Sequence, residues 1–145
     1  MARACYWLMV LLLLSGCGSQ AASPSLYRQL GGQPGVEAIV HDFLIRMADD
    51  ARLVGFFAHT NIDHLADSLG DQLCEVSGGP CHYQGPPMDR VHQHMGLTDD
   101  DFYAMIGHLN KALMAQGVPA GARQRVIGIH LAAHEDVMRL ARPAH

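Results

Sequence analysis

The stretch VEAIVHDFLIRM, residues 36–47, decides the fold class. Its apolar residues fall at Val36, Ile39, Val40, Phe43, Leu44 and Met47, the i, i+3, i+4, i+7 spacing of a helix that buries one face. Upstream, LYRQLGGQPG gives a short helix stopped by Gly31-Gly32, and Pro34 then stands where a first helical turn tolerates a missing N–H.

Downstream the same period continues. NIDHLADSLGDQLCEV, residues 61–76, puts Ile62, Leu65, Leu69, Leu73 and Val76 along one stripe with Asn61 as its cap, and ends at Gly78-Gly79-Pro80. A third helix opens with Thr98 and Asp101 in capping-box spacing, buries Phe102, Ile106, Leu109 and Leu113, and closes at Gly117 with Pro119 behind it. A fourth is expected from Ala120 to Leu140 through Val126, Ile127, Leu131, Val137 and Met138. No segment alternates with period two, so the fold is all-α.

The N-terminus reads differently. MARACYWLMVLLLLSGC, residues 1–17, has Arg3 near its start and an apolar run too short for a permanent membrane span, the pattern of a secretory leader. Leu14-Ser15-Gly16-Cys17 resembles the lipobox of bacterial lipoproteins, which implies a leader of residues 1–16 and acylation at Cys17; the other reading is a soluble export signal cleaved nearby or at Ala22. Gly18 leaves no aspartate after the cysteine to argue for inner-membrane retention, so the expected location is exported, lipid-anchored at the periplasmic face of the outer membrane. Residues 17–25, ending in AASPS, form the tether, and residues 26–142 the domain.

The rest of this 145-residue chain is enough for one hydrophobic core and not for two. A formal charge of −4 without a basic cluster removes nucleic-acid binding as a class. Cys74 and Cys81 remain as a pair once Cys5 leaves with the leader. In an oxidising space they close a short loop as a disulfide, worth about 2.5 kcal/mol by chain entropy. The alternative is two thiolate ligands, although no second Cys or His pair stands at zinc-finger spacing.

PPMDRVHQHMGL, residues 86–97, holds two of the ten histidines. On a helix from Met88 to Met95, His92 shares a face with Met88, Val91 and Met95, whereas His94 points about 160° away. His92 therefore faces the core, where its ring nitrogen needs a partner: a metal, or a loop carbonyl.

At this point the chain resembles the group I truncated haemoglobins, shortened globins with a two-over-two helical sandwich. The resemblance spans residues 26–140 and is carried by LYRQLGG, by DFLIRMADDARLVGFFAHTN, by GGPCHYQG, by MDRVHQHMGLT, and by GHLNKAL followed by GVP. It implies haem b as cofactor, His92 as the proximal iron ligand with Met88 and Met95 beside it, and a distal wall of Leu44, Phe57, Leu65, Leu69, Gln72 and Leu73. Many members carry tyrosine in place of Leu44 and glutamine in place of Leu69, groups that donate hydrogen bonds to a bound diatomic ligand. Their loss costs about 1–3 kcal/mol per buried donor, and Gln72 is the polar side chain left to reach in. CEVSGGPC is similar to a subset of exported members with this cysteine pair.

The implied function is reversible binding of a diatomic gas, oxygen or nitric oxide, by a lipid-anchored haem protein. Catalytic turnover at haem, of nitric oxide or peroxide, would need an electron source, and no redox partner is visible in the sequence. The competing class is a histidine-rich lipoprotein that sequesters zinc or copper, resting on His130 and His134 at i, i+4. A hydrolase has neither a nucleophile elbow nor a carboxylate pair to support it.

Overall fold

The structure is a computed structural model that describes residues 23–142, and the leader, Cys17 and most of the tether lie outside the described residues. Within them the chain is helical, with no strand: α1 (Leu26–Gln29), α2 (Gly32–Ala48), a 3-10 turn (Val54–Phe57), α3 (Ile62–Val76), α4 (Met88–Val91), α5 (Asp99–Ala115), α6 (Ala120–Ala132) and α7 (His134–Met138). α2 packs on both α3 and α5, α5 packs on α6, and α4 packs on α7. Two helix pairs, α2 with α3 and α5 with α6, thus meet through α2 and α5.

The expected buried face of α2 is present: Val36, Ile39, Val40 and Met47 are buried. The sharp entry into this helix depends on Gly35, because a Cβ there would run into the Leu30 carbonyl. The caps also form as the sequence indicates. Asn61 Oδ1 accepts from the His64 N–H at 3.1 Å. Thr98 Oγ1 accepts from the Asp101 N–H at 3.2 Å while the Asp101 carboxylate accepts from the Thr98 N–H at 2.9 Å.

Two apolar clusters result. The larger joins Leu30, Ile39, Leu73, Leu113 and Val126, and the smaller joins Leu97, Phe102, Val137, Met138 and Ala141. Cys74 and Cys81 sit with their sulfurs at bonding distance, tying the end of α3 to the loop that leads into α4.

Three expectations change. The stripe of α3 is rotated, since Ile62 and Val76 are exposed and Gly70, Leu73 and Cys74 are the buried positions. The helix expected from Met88 to Met95 is a single turn ending at Val91, because His94 turns left-handed at φ 63°. That turn lets the His94 and Leu97 N–H groups donate to the Leu140 and Ala141 carbonyls and feeds Leu97 into the smaller cluster. The helix expected from Ala120 to Leu140 breaks at Ala133, whose N–H donates to the His130 carbonyl. His134 beyond the break donates its Nε2–H to Asp99 Oδ1 (2.9 Å) and stacks on Tyr103, which turns α7 onto α5 and α4.

One long-range polar contact closes the end of α2. Asp50 takes a hydrogen bond from His108 Nε2 at 2.9 Å and another from the Arg52 N–H at 3.0 Å. The His108 bond, then the Arg52 amide, hold the Asp50 carboxyl down at about 2. A lowered carboxylate pKa gives stability that is full above the unfolded value near 3.8 and is lost as the pH falls through about 2. Asp50→Asn is therefore expected to lower the Tm near pH 7, with a difference from wild type that shrinks as the pH drops below about 4. Thermal melts across that range check it, and a constant difference contradicts it.

Candidate functional site

The site is built where the two apolar clusters fail to meet. A cavity of about 120 Å³ lies between them, walled by Val40, Phe43, Leu69 and Leu73 on one side and by Phe102, Met105, Ile106 and Val137 on the other. Three polar side chains border it, His92, Gln72 and His130, and no carboxylate does.

Local sequence fixes how His92 is presented. Pro87 caps α4 in an extended conformation, and its carbonyl accepts the N–H groups of Arg90 and Val91. The single turn ends with His92, whose Nδ1 lies 2.7 Å from the Met88 carbonyl. A carbonyl only accepts, so Nδ1 carries the proton and Nε2 keeps a free lone pair. Burial pushes the His92 pKa down, and the Met88 carbonyl opposes that in part. The ring is thus a neutral, half-buried imidazole at physiological pH. His94 is exposed, and its Nε2 meets only its neighbour Gln93, at 2.6 Å.

The other expected site residues divide. Leu69, Gln72 and Leu73 border the cavity with His92. Leu44 and Phe57 border a separate, open groove between α2, the 3-10 turn and α3, and Leu65 is half-buried beside neither. Met88 and Met95 pack against the smaller cluster. Gln72 reaches across from α3 to α4, where its amide Nε2 donates to Met88 Sδ at 2.9 Å.

The sequence reading places no role in the cavity on His130, yet its signal is present: Ala122 and Val126 precede it at four-residue steps and both are buried. His130 and His134 do not act together. His130 gives its Nδ1 to the Val126 carbonyl at 2.8 Å and borders the cavity, whereas His134 is taken by Asp99 and Glu135. Among the described residues no three His, Cys, Asp or Glu side chains converge as a metal cluster.

One neutral imidazole nitrogen facing an apolar slot fits the axial ligation of haem, which needs a single ligand and a dry surround. The donor and the lining suit that group. The space does so only with movement, since pockets for cofactor-sized ligands are about 300–1,000 Å³. The wall with the least helix to hold it is α4, a single turn joined to α3 by a loop.

Comparison with known proteins agrees with this chemistry. The profile of the bacterial-like globin family matches residues 25–138. The group 1 truncated haemoglobin of Mycolicibacterium paratuberculosis is 37% identical over 109 residues, covering 75% of this chain and 80% of that protein. The group 1 truncated haemoglobin of Tetrahymena thermophila is 36% identical over 95 residues, covering 66% and 78%. Among solved structures, the truncated haemoglobin of Tetrahymena pyriformis in its Fe(III) form superposes with a TM-score of 0.75 at 30% identity, covering 79% of this chain and 97% of that one. The 2/2 haemoglobin of Synechococcus, in the cyanomet state and with covalently attached haem, gives a TM-score of 0.76 at 28% identity, covering 80% and 99%.

The two neighbouring histidines supply the test of the site. His92→Ala is expected to shift the Soret band of the haem-loaded protein and weaken haem uptake by about a hundredfold. His94→Ala is expected to change neither. Haem titration of both variants, followed by absorbance, decides it, and equal behaviour of the two contradicts the assignment.

Proposed function

Because this chain belongs to the bacterial-like globin family, we infer that it carries haem b against His92 and offers the iron's other face to a diatomic gas, oxygen or nitric oxide. The observation that carries the reading is the His92 ring, which borders an apolar cavity and is locked by Met88 with its Nε2 lone pair free. When bound, haem supplies an iron centre with one coordination position open to a small ligand.

The chain's own residues set what that ligand meets. Phe43, Leu69, Phe102 and Ile106 keep the cavity apolar. Gln72 is the one amide on its wall, and it spends one of its two N–H groups on Met88. A polar ligand such as oxygen therefore finds at most one side-chain donor, worth about 1 kcal/mol net. Carbon monoxide and nitric oxide rely less on such donation, so the site favours fast oxygen release.

Export is part of the same reading. Its support is the leader ending in Leu14-Ser15-Gly16-Cys17, with lipidation at Cys17 and anchoring at the periplasmic face of the outer membrane. The Cys74 and Cys81 sulfurs at bonding distance support a disulfide formed in that oxidising space. Sequestration of zinc or copper has no comparable support, since His130 and His134 turn to different partners.

The missing donor can be restored at a residue that borders the cavity. Wild type reconstituted with haem is expected to bind carbon monoxide and oxygen, and Leu69→Gln to slow oxygen release by about tenfold, the effect of one added buried hydrogen bond. Carbon monoxide release should change much less. Stopped-flow measurement of both gases is the check: equal oxygen release rates mean that another group already holds the ligand, and no gas binding to the reconstituted protein removes the reading.

A further inference from the structure

The haem reading uses one imidazole, and the cavity has two. His130 stands in α6 with its Nδ1 donating to the Val126 carbonyl at 2.8 Å. Its Nε2 therefore carries a free lone pair, the same tautomer that His92 adopts through Met88. Both rings border one cavity of about 120 Å³.

The packing links the elements that carry them. α4, which ends at His92, packs on α7, and α7 packs on α6, whereas α3 packs on α2. His92 and His130 thus come from α4 and α6, and Leu69, Gln72 and Leu73 from α3. Their supports differ. His92 ends a single turn of four residues, while His130 belongs to a helix of thirteen. The wall that must part to admit a macrocycle is the one that carries His92.

We propose that His130 is a second iron-ligating imidazole of this cavity, which holds haem through its Nε2 when the turn carrying His92 moves away. The inference rests on the haem reading. An imidazole with the proton fixed on Nδ1 needs no proton loss to become a ligand. The device retains the cofactor while α4 and its loop open and close.

The test removes His92 and reads which atom holds the iron. His92→Gly protein loaded with ferrous haem is expected to keep an iron–histidine stretching band in its resonance Raman spectrum. It should also bind haem about tenfold more tightly than His92→Gly/His130→Val. Adding His94→Ala to His92→Gly should alter neither result. Absence of the band in His92→Gly, or equal spectra and affinities in the single and double variants, overturns the proposal. Circular dichroism before haem addition establishes that each variant is helical; should His130→Val unfold the chain, His130→Gln keeps a polar side chain without a ligating ring nitrogen and serves the same comparison. Wild type that takes up no haem overturns the haem reading and this proposal with it, an outcome distinct from failure of the variants alone.

Discussion

The hydrogen bond from His92 Nδ1 to the Met88 carbonyl, 2.7 Å long, decides which nitrogen of the ring keeps its lone pair. Without it the imidazole exchanges tautomers; with it, the proton is held on Nδ1 and Nε2 keeps its lone pair. The bond is local, four residues back along one helical turn, so it forms as soon as α4 forms. Burial then keeps the ring neutral, the state a metal ligand needs.

Everything larger serves to hold that turn over a gap. α2 and α5 bring the long helices together, and their apolar faces form the larger cluster. The smaller cluster gathers Phe102 with the C-terminal residues Val137, Met138 and Ala141, and the His94 and Leu97 amides tie the segment after His92 to it. The cavity is bordered by residues of both clusters. Its walls belong to longer helices except at α4, so the shortest helix at the site is also the one that presents His92.

The long helices were legible because periodicity and caps are local signals. Val36 to Met47 and the Thr98–Asp101 box each carry their own instruction, and the structure follows them. What the sequence concealed depends on partners distant in the chain. His94 leaves the helix because the Leu140 carbonyl takes its N–H, and the break at Ala133 serves a contact between His134 and Asp99. The division of the α2 and α3 side chains between cavity and groove follows from how those two helices cross, so Phe43 and Leu69 meet His92 while Leu44 and Phe57 border the groove. His130 had a readable signal in its four-residue steps from Ala122 and Val126. Its pairing with His134 in sequence drew attention to the wrong neighbour.

Nitrogen-15 NMR of histidine-labelled protein, before and after addition of haem, tests the central claim most directly. His92 should show a protonated Nδ1 and an unprotonated Nε2 in the haem-free protein, and the Nε2 resonance should be strongly shifted by the iron once haem is bound. A protonated His92 Nε2, or a His92 Nε2 untouched by haem in the wild-type protein, would contradict the account.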